Sequence, residues 1–225
     1  MRKTIYKLKQ KIKSILTNDK KEKRHSLVGA AINWKLKQQF QINFLKSQGI
    51  KPEDVFLDIG CGTLRGGIPI IEYLDQGNYF GIDIRDNVIK EAKKELKEEN
   101  LNTKEPTILK FDDFKFLELD SKFDKILAFS VLIHLKDDIV NDCMQFVSKY
   151  LKTNESVFYA NVNYGDRPDG SWSGFPVVFR SFDFYKNLAK KYGMTVSELG
   201  DLKSHGHLSG DKLSDRQMLL AFTIN

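Results

Sequence analysis

The sequence predicts an α/β fold, a doubly wound parallel sheet with helices on both faces, and three observations predict it. From Val55 onward, short apolar runs of strand type alternate with segments of helical period. A turn with glycines at 60, 62, 66 and 67 directly follows the first of those runs. The last two strand-like runs have no helical segment between them, which predicts an antiparallel hairpin at the end of the sheet.

The chain's net charge of +6 is concentrated at one end. Residues 1–24 form a basic arm with ten Lys or Arg against Asp19 and Glu22, whereas the remaining body, residues 25–225, has 26 basic and 28 acidic residues. In the arm, Ile5, Leu8, Ile12, Ile15 and Leu16 put a narrow apolar stripe on a helix whose other faces are lysine. Such a helix either touches anionic lipid or another polyanion at a membrane surface, or packs as a solvated helix on its own domain.

Residues His25 to Gln48 read as a second helix, broken by GIKPEDV at Gly49–Val55. Val55–Ile59 is a buried strand, Gly66–Leu74 a short helix and Asn78–Ile82 a strand. Asn87–Glu99 is a helix capped by Asp86, with Val88, Ile89, Ala92 and Leu96 on one face. Thr107–Phe111 and Lys125–Phe129 are strands. Asp137–Leu151 is a helix with Ile139, Val140, Cys143, Met144 and Val147 inward, and Val157–Asn161 is the next strand. Asn161–Arg180 has no regular period and reads as a functional loop. Phe182–Tyr192 is a helix stopped by Gly193, and Met194–Leu199 and Gln217–Ile224 are the final strands, joined by a loop. No apolar run reaches the roughly 18 residues of a membrane span, and lysines interrupt any secretory core. Two cysteines, Cys61 and Cys143, at no metal-like spacing point to a reducing, cytoplasmic setting with no disulfide scaffold.

A glycine turn after the first strand of such a sheet lies where nucleotide cofactors bind. The spacing GCGTLRG from Gly60 is one residue longer than the dinucleotide pattern G-x-G-x-x-G. Asp58, two residues before the first glycine, would repel a pyrophosphate and attract an ammonium. Asp83, 21 residues after Gly62, suits ribose hydroxyls. Asp112 and Asp113 in KFDDF are both placed to accept from an adenine amine, Asp112 being preferred for its position right after the strand. Asp113 equally suits a turn cap.

In VFLDIGCGTLRGG, YFGIDI, KFDDF, FDKILAFSVLIHL and RQMLLAF, in that order, the chain from about Ile50 to Asn225 resembles class I S-adenosylmethionine-dependent methyltransferases. Within that class it is similar to bacterial enzymes of surface-glycan and small-molecule pathways. The resemblance implies a Rossmann-like seven-stranded sheet in the order 3-2-1-4-5-7-6 with strand 7 antiparallel. It implies that Asp58, Gly60, Cys61, Gly62 and Arg65 hold the methionine part of the cofactor and that Asp83 takes the ribose. Ile84 would lie beside the adenine, Asp112 or Asp113 at its amine, and Ser130 near the methyl end. The product would be S-adenosylhomocysteine.

An alcohol acceptor must lose a proton as the methyl is attacked. His134, leaving the fourth strand, is one candidate base; its alternative is to pack in the turn and bond a carbonyl. His205 and His207 in HGHLSG alternate, so on an extended chain they would share a face, as a base or as two metal ligands; two is one short of the usual three, so no metal is expected. Tyr164, Arg167, Trp172, Phe175 and Arg180 in the long loop are candidates for an acceptor pocket, the aromatics stacking on sugar or other rings and the arginines on phosphate or carboxylate. The slightly acidic body disfavours a nucleic-acid footprint. The expected reaction is O-methylation of a sugar, a polysaccharide precursor or another small molecule. An RNA methyltransferase using the arm and a non-catalytic cofactor-binding module are the alternatives.

Overall fold

A computed structural model describes residues 19–225. The apolar stripe from Ile5 to Leu16 lies outside the described residues. Nine strands and the helices between them form one seven-stranded sheet and one small hairpin. The strands are β1 (Phe56–Ile59), β2 (Tyr79–Asp83), β3 (Thr107–Lys110), β4 (Lys125–Ala128), β5 (Val157–Val162), β6 (Gly170–Trp172), β7 (Phe175–Val177), β8 (Met194–Asp201) and β9 (Met218–Ile224). The α-helices are α1 (residues 19–26), α2 (Trp34–Ser47), α3 (Gly67–Tyr73), α4 (Asp86–Glu98), α5 (Asp137–Tyr150), α6 (Phe182–Lys191) and the four-residue α7 (Lys212–Asp215).

The large sheet runs β3-β2-β1-β4-β5-β9-β8. The first five strands pair in parallel, and β9 pairs antiparallel with both β5 and β8. This is the anticipated 3-2-1-4-5-7-6 order; the hairpin β6–β7 only shifts the count of the last two strands. β1 and β4 are central, so Leu57, Ile59, Ile126 and Leu127 are fully or almost fully buried, as a strand covered on both faces requires. Val140, Cys143, Met144 and Val147 of α5 pack against one face, and Ile70, Ile71, Phe44 and Leu45 of α3 and α2 against the other.

Several boundaries differ from the sequence expectation, each for a local reason. The single helix expected over His25–Gln48 is interrupted. α1 ends at residue 26, Gly29 adopts φ +115°, and α2 starts only at Trp34. Asp86 is not the cap of α4: Arg85 occupies that position without a side-chain cap bond, and Asp86 pairs with Lys90 one turn on. Ile139 faces outward, 41% exposed, while Val140 turns in. The stretch Asn161–Arg180 is not wholly irregular, because Ser173 (φ +48°) and Gly174 (φ +84°) form a two-residue turn that closes β6 onto β7. Two positive φ values in succession mark the hairpin-type turn whose twist suits antiparallel strands. The connection from β8 to β9 likewise contains a 3₁₀ turn (Lys203–His205) and α7.

Candidate active site

The site is built around the turn after β1. Gly60 (φ +71°) and Gly62 (φ +59°) take left-handed backbone that a side chain would strain. The N–H groups of Gly60 and Cys61 both donate to Ile82 O, at 2.8 and 3.0 Å, which folds the turn back onto β2. Asp58 lies buried beneath it and accepts from Tyr79 Oη at 2.7 Å. That hydroxyl has room because residue 67 is glycine; a Cβ there would stand 2.5 Å from it. Burial pushes the Asp58 carboxyl up to about 7, against the Tyr79 bond that lowers it. Asp83, at the end of β2, accepts from Gly62 N at 3.1 Å, Arg85 N at 2.9 Å and Arg85 Nε at 3.3 Å. The two acids therefore converge on one turn.

Other residues of the first half take varied roles. Cys61 is buried, and its sulfur lies 3.0 Å from where a Cβ on Gly81 would be. Burial holds its thiol well above the ordinary value, so it stays protonated. Arg65 is buried, donates through Nη1 to Val28 O at 2.8 Å, and is pushed down to about 10 by that burial. Its Nε and the neighbouring Thr63 Oγ1 are buried without a partner. Ile84 is 55% exposed at the open end of β2. Ser130 (φ +60°) donates its N–H to Asn161 Oδ1 at 2.6 Å, and Asn161 Nδ2 donates to Gln217 Oε1 at 2.6 Å. The acids after β3 do not join this group. Asp112 is 84% exposed on its side chain and paired with Lys110, and Asp113 accepts from Lys115 N at 2.9 Å as a turn cap.

The segment Leu27–Gly29 lies across the glycine turn. Arg85 Nη1 donates to Leu27 O at 3.0 Å, and Val28 Cγ1 sits 2.7 Å from where a Cβ on Gly62 would be. Just before it, buried Arg24 pairs with Glu91, Glu95 and Glu98 along α4. His25 stacks on Trp34 at 3.4 Å between ring centroids.

The three candidate histidines separate clearly. His134 donates from Nδ1 to Pro176 O at 2.6 Å and lies against Trp172 and Phe175 of the hairpin. His205 donates from Nε2 to Leu199 O at 2.7 Å. His207, 0% exposed, donates from Nδ1 to Asp215 Oδ1 at 2.8 Å, and its Nε2 has no partner. Asp215 is itself fixed by Ser209 N at 2.9 Å, Ser209 Oγ at 2.7 Å and Gly210 N at 3.2 Å. Burial lowers the His207 imidazole below its ordinary value, outweighing the carboxylate that raises it. A neutral ring with its Nδ1–H held by a carboxylate presents Nε2 as the proton acceptor. His205 and His207 do not share a face through an extended chain, because Gly206 turns the backbone at φ +92°. Both rings nevertheless meet α2, His205 edge-on to Phe44 and His207 to Phe40, which are one helical turn apart. Among the described residues no cluster of three metal-ligating side chains occurs.

The acceptor candidates divide in the same way. Tyr164 and Arg167 line a cavity beyond the end of β5. Trp172, 52% exposed, and half-buried Phe175 form the hairpin that covers His134. Arg180 is already engaged, donating to Asp137 at 2.7 Å and bidentately to Asp169 at 2.6 and 2.9 Å. It fastens the long loop to the start of α5 and has no charge left for a ligand. The sequence reading missed Tyr79, Arg85, Asn161 and Asp215. Only Asp215 carried a signal, as an acid eight residues after a histidine in a glycine-rich loop.

Comparison with known proteins agrees with the fold. Residues 57–154 match the family described as Methyltransferase domain. The structure is similar to a magnesium protoporphyrin IX methyltransferase from Synechocystis PCC 6803 with bound SAM, at a TM-score of 0.65 and 15% identity over 87% of this chain and 81% of that one. It is similar to an S-adenosylmethionine-dependent methyltransferase from Clostridium acetobutylicum ATCC 824, at a TM-score of 0.66 and 14% identity over 93% and 99% of the two chains. A glycopeptide N-methyltransferase complexed with S-adenosyl-L-methionine follows at a TM-score of 0.63 and 12% identity, over 84% and 87%. The protein has the class I methyltransferase fold, with a methyltransferase domain recognised at residues 57–154.

Proposed function

We propose that the protein is an S-adenosylmethionine-dependent methyltransferase that places the methyl group on an oxygen of a small acceptor, most simply a sugar or a surface-glycan precursor. The single observation that carries the reading is the grouping of a buried carboxylate, a glycine turn and a second carboxylate at the ends of β1 and β2. The residues there fit an amino-acid zwitterion joined to a nucleoside. Asp58 suits the ammonium, and the unpartnered Arg65 Nε and Thr63 Oγ1 suit the carboxylate. Gly60, Cys61 and Gly62 supply backbone for close approach, and Asp83 would exchange its Arg85 bonds for ribose hydroxyls. Ile84 would rest beside the adenine with Asp112 or Asp113 near its amine, and Ser130 near the methyl end. When bound, the cofactor supplies a methyl group activated by a sulfonium.

This chain's own residues have the remaining tasks. His207 takes the acceptor's proton at Nε2, with Asp215 holding the ring in the correct tautomer and stabilising its charge once protonated. His134 positions the hairpin, and Trp172 and Phe175 offer faces for a sugar or other ring. The protein would work in the cytoplasm, the basic arm of residues 1–24 touching anionic membrane; among the described residues no helix is long and apolar enough to cross one.

Release of S-adenosylhomocysteine against sugar nucleotides, capsule fragments and short RNAs tests this reading. Turnover is expected on a sugar-bearing member of the panel. Tight cofactor binding without turnover on any member would replace the enzyme reading by a binding module, and turnover on RNA alone would replace the acceptor.

A further inference from the structure

The cavity beyond β5 has a volume of about 400 Å³, within the usual range of ligand sites. Asn163, Tyr164 and Phe179 line it, together with Arg167, Lys212 and Arg216. One feature singles it out. Among the described residues none of the three cations has a carboxylate within ion-pair distance, although most other arginines here are paired. The rest of the lining is uncharged: Asn163, 4% exposed, donates Nδ2 to Val178 O at 3.1 Å, and Tyr164, Phe179 and Leu213 complete it.

The acids of the surrounding loops face elsewhere. Asp169 is bound by Arg180, Asp215 by His207 and Ser209, and Asp211 accepts from Leu213 N as the cap of α7. Asp166 is exposed. Burial, and then a hydrogen bond to the Glu198 carboxylate, hold the Tyr164 phenol above its ordinary value, so its proton is engaged by that acid. Arg167 lies 4.0 Å over the Phe179 ring, which fixes its planar head at the cavity wall.

We propose that this cavity holds a phosphate or diphosphate group of the methyl acceptor, bound by Arg167, Lys212 and Arg216. The inference rests on the methyltransferase reading for the word acceptor and narrows its substrate to phosphorylated compounds. Three cations suit a group of two or more negative charges better than a single carboxylate. The location agrees. Arg216 precedes Gln217, the partner of Asn161, and α7 carries both Lys212 of the cavity and Asp215 behind His207. The cavity and the proposed base are thus built from the same connection between β8 and β9.

Calorimetric titration of the full chain with inorganic pyrophosphate is the direct test, in the wild type and in Arg167→Gln, Lys212→Gln and Arg216→Gln. Each arginine substitution is expected to weaken binding at least tenfold, a typical loss for a hydrogen bond to a charged group. Arg180→Gln, outside the cavity, should leave it unchanged. Retained S-adenosylhomocysteine binding shows that the variants are folded. No binding to the wild type, or equal affinity in all variants, would overturn the proposal. So would equal kcat/KM for phosphorylated acceptors and their dephosphorylated forms; at least a tenfold preference for the phosphorylated form is expected. Failure of S-adenosylhomocysteine to bind the wild type strikes the methyltransferase reading instead, so the two failures are distinguishable.

Discussion

The two ends of the candidate site are built in opposite ways. Around the glycine turn, Asp58 and Asp83 already have internal donors from Tyr79, Gly62 and Arg85. Beyond β5, Arg167, Lys212 and Arg216 have no acidic partner among the described residues. The first end is pre-shaped by short-range bonds between adjacent strands; the second is assembled from long loops whose cations have no acidic partner among the described residues. Rigid elements set the geometry, and loops set which acceptor fits.

The largest expected effect tests whether His207 belongs to the reacting end. His207→Asn should lower kcat by about 10²–10⁴-fold with cofactor affinity kept. An unchanged rate would remove it as base. Asp83→Asn probes the pre-shaped end and should raise the cofactor dissociation constant by about 10–100-fold in calorimetry, with little change in kcat for a saturated enzyme.

Asp58 gives that end a pH dependence. Its carboxyl is raised to about 7 in the folded protein, so its contribution to stability is fully present below the ordinary carboxylate value and is lost as pH rises through about 7. A cofactor ammonium favours the ionised form, so affinity should move the other way, rising about tenfold from pH 6 to 8. A flat profile, or the same slope in Asp58→Asn, would break the assignment.

The smaller effects concern stability. Gly67→Ala forces a methyl against Tyr79 Oη and Leu64, and should cost about 1–3 kcal/mol in denaturant unfolding. Arg180→Ala removes a partly exposed ion pair and should cost about 1 kcal/mol, while leaving the acceptor KM unchanged. A raised KM there would mean that Arg180 touches substrate after all.

Much of the fold was legible because strand and helix periods differ and because each buried strand reads as an apolar run. VFLDI, YFGID and KILAF are such runs, and the sheet places them as β1, β2 and β4. The hairpin β6–β7 escaped because only its central dipeptide, Ser173–Gly174, signals a turn, and three-residue strands show no period. The break at Gly29 escaped because its cause is tertiary: the chain leaves the helix to lie across Gly62. Asp58 and Asp83 could be found as acids beside glycines. Tyr79 could not, since it is linked to Asp58 only through the parallel register that sets Phe56 beside Tyr79. The choice between Asp112 and Asp113 was not legible, because position after a strand does not determine which way an exposed side chain turns.

The reversed direction of β9 has its own consequence. Val162 at the end of β5 stands opposite Met218 at the start of β9. The polypeptide entering that last strand is thereby delivered to the same rim on which the five parallel strands finish. Were the strand turned round, residues 205–216 would emerge at the far rim, away from the glycine turn that follows β1.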